Sequence, residues 1–160
     1  MDLIQSIKQK ITDKKILPIL LILALIHIIQ LIIWRTDTIF SEASEYGMGM
    51  ATASDEKLAM GFAMFVLWAV TVILLVSIVF CIVSGIFKLL KGVNIVGILS
   101  QFVLLIFSVL EKISVSTVSD SNSYGMDEVL EMSKTANYLI LMALFAIVLY
   151  IIRIIKTKTV

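Results

Sequence analysis

Residue types that staple or punctuate a fold are nearly missing from this chain of 160 residues, which has one cysteine, one proline and one histidine. A lone Cys81 forms no intramolecular disulfide, and it excludes the quinone-linked four-helix thiol oxidoreductases, whose chemistry needs cysteine pairs. A lone His27 excludes metal sites built on histidine pairs, the helical His-Glu-x-x-His among them. Neither a nucleophile elbow nor a phosphate-binding glycine loop occurs. Pro18 and seven glycines leave little material for turns, so long helices are expected. Charge is scarce too, at 16% of residues, where soluble domains carry about a quarter. The basic residues have no interleaved aromatics, which counts against nucleic-acid binding. The expectation is a non-enzymatic protein without a cofactor.

What the chain has instead is hydrocarbon: 60% of residues are hydrophobic and the mean hydropathy is +1.07. The excess is gathered into four runs, about 16–34, 58–87, 93–113 and 136–155, separated by loops 35–57 and 114–135. A hydrocarbon core of about 30 Å takes roughly 20 helical residues, and each run is near or above that. Uniformly apolar runs of this length do not suit barrel strands, whose faces alternate. The sequence predicts an all-α integral membrane protein, one four-helix transmembrane bundle spanning residues 1–160 with up-down-up-down topology.

Charge distribution supplies the orientation. Lys8, Lys10, Lys14, Lys15, Lys88, Lys91, Arg153, Lys156 and Lys158 fall on one side, nine of thirteen basic residues. The two opposite loops, taken as Arg35 to Lys57 and Glu111 to Thr135, hold ten of the twelve acids. Basic residues stay cytoplasmic, which puts both termini inside a cell membrane. The first run is longer than the 7–15 apolar residues usual in a signal peptide, and the Ser41-Glu42-Ala43 site lies well beyond it, so a retained helix is expected. Leu3, Ile4, Ile7 and Ile11 recur at helical spacing among Gln5, Lys8 and Lys10, as in a short amphipathic helix lying on anionic lipid. Abundant isoleucine and lysine suit a bacterium with an AT-rich genome. Tyr46-Gly47-Met48 and Tyr124-Gly125-Met126 recur in the two outer loops, a weak sign of a duplicated hairpin.

Polar side chains inside lipid usually face the bundle interior. His27, Gln30 and Trp34 share one face of the first span, and Asn94, Gly97, Gln101 and Ser108 form a stripe on the third. The expectation is a polar interior of His27, Gln30, Asn94 and Gln101 acting as interhelical glue, ahead of a proton or ion path through His27. No charged residue lies in the middle of a span, which counts against proton antiporters and against the small multidrug transporters that need an embedded glutamate. Ala59, Ala63, Ser77, Cys81 and Gly85 align on the second span as a seam for close helix packing, within the bundle or between copies. Trp34, Tyr138 and Tyr150 are expected at membrane interfaces. The seven methionines after Met1 all fall at the outer side. Met48, Met50, Met60 and Met64 have spacings that bring thioethers onto one soft ion such as Cu(I), though adaptable apolar contact is the simpler reading.

These features rank the functions. A non-catalytic interaction protein comes first, either an accessory subunit of a membrane complex or an immunity-type protector against a membrane-active peptide. A homo-oligomeric pore or small channel is second, and an outward-facing Cu(I)-handling protein third. The expected partners are the lipid bilayer and another membrane protein or further copies of the chain.

Overall fold

The computed structural model describes residues 17–41, 54–87, 90–119 and 126–158. Four long helices follow one another: α1 Leu17–Thr36, α2 Ser54–Phe87, α3 Leu90–Ser119 and α4 Met126–Lys158. Each contains a stretch long and apolar enough to cross a membrane, namely Pro18–Thr36, Lys57–Ser84, Val93–Ser116 and Leu130–Ile155. Four such helices fit a multi-pass membrane protein. The expected amphipathic segment 1–15, Met48 and Met50, and the Tyr-Gly pairs at 46–47 and 124–125 lie outside the described residues.

The helices outrun the apolar runs. α2 begins at Ser54, α3 continues to Ser119 and α4 starts at Met126, so much of the expected outer loops is helical. The physical reason is that bilayer thickness limits an apolar stretch but not a helix. In sequence α2 opens on Ser54-Asp55-Glu56 and α4 on Met126-Asp127-Glu128. Pro18 sits in the first turn of α1, where its missing N–H costs nothing.

Each helix buries one stripe. On α4 the buried residues are Met132, Ala136, Leu139, Ala143, Ala146, Tyr150 and Arg153, alternately four and three apart. That is a seven-residue repeat, the period at which helices pack side by side. Its three alanines let neighbouring backbones approach. The opposite faces expose large apolar side chains, among them Leu21, Leu25, Phe65, Trp68, Leu99 and Phe145. Hydrocarbon on the outside suits lipid as the surrounding solvent.

The interior divides into two apolar cores. One contains Trp34, Phe40, Val66, Leu67, Val70, Leu74, Leu104 and Leu139; this end of the bundle is called the far end below. The other contains Leu20, Leu23, Cys81, Val93, Ala146 and Tyr150, at the near end, where α1 starts. At the far end the chain turns tightly after α1. Thr38 donates its hydroxyl to Trp34 O (2.9 Å), and the Ser41 N–H reaches Thr38 O (2.9 Å). Glu111, wholly buried on α3, accepts the Ile39 N–H at 3.0 Å. This carboxylate caps a helical turn at 39–41 and ties it to α3. Outside, the Arg35 guanidinium lies 5.0 Å above the Trp68 ring, a cation–π contact between α1 and α2.

Candidate functional site

Between the two cores lies a polar layer built by α1 and α3. His27 and Gln30 are one turn apart on α1, and both are fully buried, as is Gln101 of α3. The two glutamines face each other in a reciprocal pair: Gln30 Nε2 donates to Gln101 Oε1 at 2.8 Å, and Gln101 Nε2 returns a bond to Gln30 Oε1 at 3.0 Å. The second proton of Gln101 Nε2 reaches His27 Nε2, also at 3.0 Å. Because His27 Nδ1 lies 2.6 Å from the Leu23 carbonyl, Nδ1 must carry the ring proton and Nε2 must accept. That assignment rests on the partners, as histidine tautomers ordinarily do.

The network continues toward the near end on α4 and α2. The Tyr150 hydroxyl lies 3.4 Å from His27 Nε2 and 3.4 Å from Cys81 Sγ. His27 Nε2 has a single lone pair, held by the shorter Gln101 bond, so the Tyr150 hydroxyl shares it only as the longer branch and otherwise exchanges a hydrogen bond with Cys81 Sγ. The Tyr150 and His27 rings meet edge to face, 6.0 Å apart at 86°. Tyr150 needs space on α3, and Gly97 supplies it, since a methyl group there would fall on the tyrosine ring. Five side chains from all four helices thus satisfy one another in a single cluster. In a membrane an unpaired buried amide costs several kcal/mol, by order of magnitude, so each member depends on the rest.

One turn beyond Tyr150 stands Arg153, with no exposed surface. None of the described residues hydrogen-bonds its Nε, Nη1 or Nη2. A buried unpaired charge costs several kcal/mol in real proteins, by order of magnitude.

The residues singled out from sequence fall as follows. His27, Gln30 and Gln101 come together, while Asn94 stands apart. It is half-buried and lines a groove with Ile95, Ile98, Leu99, Phe102 and Ile154. Of the small-residue stripe on α2, Ala63, Ser77 and Cys81 face the interior and Ala59 is exposed. The surroundings of Gly85 lie outside those described. Met60 and Met64 are half-buried. Among the described residues no group of three or more His, Cys, Asp or Glu side chains is placed to hold a metal ion.

Two aromatic expectations need correcting. Trp34 and Tyr150, expected at membrane interfaces, lie wholly inside the bundle, whereas Tyr138 is exposed. Each buried ring brings a polar atom that finds a partner: Trp34 Nε1 donates to Leu67 O at 3.1 Å, and Tyr150 joins the cluster above. Interior hydrogen bonding substitutes for the wet end that usually draws such rings to the interface. Tyr150, Arg153 and Glu111 were missed as interior polar residues. The α4 repeat that passes through Ala143, Ala146 and Tyr150 to Arg153 was the signal available for two of them.

A polar cleft of about 400 Å³ opens at the far end between α1 and α4, lined by Thr36, Asp37, Glu131, Met132, Lys134, Thr135 and Tyr138. Comparison of the chain with protein-family models, curated proteins and solved structures gives no match.

Proposed function

We propose that this chain is a non-catalytic integral membrane interaction protein, an accessory subunit of a membrane complex or a protector against a membrane-active peptide. The observation that carries this reading is the closure of the His27–Gln30–Gln101–Tyr150–Cys81 cluster, whose hydrogen bonds are spent on holding four helices together. Such a network specifies helix pairing, and it leaves recognition to the ends. At the far end the cleft carries two acids, Asp37 and Glu131, against one base, Lys134, and the loops adjoining it in sequence are rich in acids, which suits a cationic partner.

An up-down-up-down bundle with both termini in the cytoplasm belongs to the same proposal. Supporting it, Trp34 late in α1 pairs with Leu67 early in α2, Gln30 pairs with Gln101, and Lys112 of α3 donates to Asn137 of α4 at 2.7 Å. These pairings alternate in direction along the chain. In that arrangement the lysines that adjoin the near ends of the helices in sequence fall on the side that the positive-inside rule assigns to the cytoplasm. Reporter fusions at each terminus test the orientation directly, and an external terminus would refute it.

The pore is the weaker reading, because the polar stripes face the interior of one bundle, where Leu74, Leu104 and Leu139 fill the far half. The deciding experiment is chemical cross-linking in native membranes, followed by purification and mass spectrometry. A stoichiometric foreign protein or peptide supports the interaction reading. Cross-links only between copies of the chain would replace it with the pore.

A further inference from the structure

Arg35 and Trp68 mark where hydrocarbon stops at the far end. Both side chains are exposed, and the guanidinium lies 5.0 Å above the indole ring. A charged side chain facing lipid belongs at the interface, which is also where tryptophan collects. The spacing of charges agrees: about 20 residues inward of Arg35 and Trp68, the length that a core of about 30 Å requires, the sequence has Lys15 and Lys88. α1 stops at Thr36, but α2 reaches beyond Trp68 to Ser54. At about 1.5 Å per residue, Phe65, Phe62 and Leu58 lie about 4.5, 9 and 15 Å further out. The headgroup layer takes up about 5–7 Å of that distance. Phe62 and Leu58 therefore pass beyond lipid, yet they are 56% and 78% exposed. Lipid does not explain apolar surface at this height, and a patch of that kind marks a site of protein contact.

The patch has the relief that a second helix packs against. Leu58, Phe62 and Phe65 recur at four- and three-residue spacing, and with Lys57, Ala59 and Gly61 they line a depression of about 670 Å³. A methyl group added at Gly61 would meet no atom within 4 Å, so the hollow beside the rings is open. Rows of large side chains next to such hollows take the ridges of another helix. Charge then selects among helices. The segment 35–57, which leads into the patch, carries five acids and two bases. In the cleft at the same end Asp37 and Glu131 outnumber Lys134. We propose that the outer turns of α2 dock a cationic amphipathic helical peptide, its apolar face on Leu58, Phe62 and Phe65 and its basic residues toward these acids. The docking site rests on the interaction reading above and gives its partner a chemistry and a place.

Depth is tested first, with the full chain in phosphatidylcholine nanodiscs. Phe62→Cys should react readily with a membrane-impermeant maleimide, whereas Leu99→Cys, exposed to lipid two residues from the Gln101 layer, and the buried Cys81 should not. Equal rates at positions 62 and 99 would cover position 62 with lipid or with the chain itself and overturn the site. A helical peptide of leucine and lysine is then titrated by fluorescence onto these nanodiscs and onto nanodiscs without the chain. The chain should add a saturable site that the same peptide with glutamate in place of lysine does not fill. Phe62→Ala, which alters only an exposed side chain, should weaken that site about tenfold, the loss expected of an anchoring residue. No added site, equal binding of the acidic peptide, or an affinity unchanged by Phe62→Ala overturns the proposal. A disulfide-linked dimer of Phe62→Cys that excludes the peptide would assign the patch to a second copy instead. If cross-linking in native membranes captures a foreign partner and Phe62→Ala leaves that capture intact, the interaction reading stands and this site falls. Capture of no foreign partner defeats the reading itself.

Discussion

At the far end of the bundle Trp34, Leu67, Val70, Leu74, Leu104 and Leu139 close the interior with hydrocarbon. Toward the near end the same interior holds His27, Gln30, Gln101, Cys81, Tyr150 and Arg153. In water both halves would be driven together by burial of apolar area. In lipid that drive between helices disappears, because the alternative to a neighbouring helix is an equally apolar acyl chain. The far half then relies mainly on shape, with alanines of α4 against larger side chains of the other helices, its buried polar ties being the Trp34–Leu67 bond and the Glu111 carboxylate that holds the Ile39 N–H. The near half relies on polar atoms that have no other partner at that depth. Shape alone tolerates slippage by one turn, whereas the Gln30–Gln101 pair exists in one register. The polar half therefore carries the specification and the apolar half the close contact.

The contrast breaks most visibly at Gly97. A side chain there displaces the Tyr150 ring and with it the contacts to His27 and Cys81. Gly97→Val is expected to cost about 3 kcal/mol, the upper end of overpacking, in reversible unfolding in mixed micelles. Gly61, on the far half of α2, has no atom within 4 Å of an added methyl, so Gly61→Ala should stay within about 0.5 kcal/mol. Equal costs at the two glycines would mean that the near half has room for the ring to move.

The polar layer itself gives the next effect. Gln101→Leu leaves the Gln30 amide without its partner and leaves His27 Nε2 only the longer contact to the Tyr150 hydroxyl, at a cost of about 1–3 kcal/mol. Adding Gln30→Leu removes the orphaned amide, so the double variant should recover part of the loss. The coupling energy read from the cycle is expected near 0.6–2 kcal/mol, roughly the range for hydrogen bonds between membrane helices. Additive losses would show that the two amides act independently, and would take the specification away from this layer.

Trp34→Phe probes the far half in the same way. It deletes the 3.1 Å bond from the indole to Leu67 O, but Thr71 Oγ1 still donates to that carbonyl at 2.6 Å. No acceptor is orphaned, and the loss should be only about 0.6–1 kcal/mol. A loss matching that of Gln101→Leu would mean that both ends depend on hydrogen bonds, and the division between shape and polarity would fail.

Four helices long and apolar enough to cross a membrane were legible in the sequence because such a crossing writes itself as run length. The pairing of His27 and Gln30 with the third helix was legible because polar residues in lipid must face protein. Helix ends were not, since nothing apolar marks where a helix stops after leaving the bilayer. Tyr150 and Trp34 were misplaced because an amphipathic ring obeys two rules with opposite outcomes, the interface and the satisfied interior. Only the partner's position decides between them, and Gly97 and Leu67 are far away in sequence. Asn94 was grouped with Gln101 by spacing alone. Seven residues on α3 span nearly two turns and about 10 Å, enough to carry Asn94 out of the interior layer and onto the groove of the near end.

The smallest expected effect lies at the start of the small-residue stripe on α2. Ala63, Ser77 and Cys81 point inward, where backbones approach, but Ala59 is exposed beside Leu58, Gly61 and Phe62 on the outer surface. Ala59→Leu therefore meets no neighbour within one bundle, and its unfolding midpoint should shift by no more than about 0.5 kcal/mol allows. The same substitution separates the two uses of the stripe. If copies of the chain pack through this face, leucine at position 59 will keep their backbones apart and the cross-linked dimer will weaken. With no dimer to lose, cross-linking stays unchanged and the stripe works only inside the bundle. An unfolding shift as large as that of Gln101→Leu would instead place Ala59 in the interior and contradict its exposure.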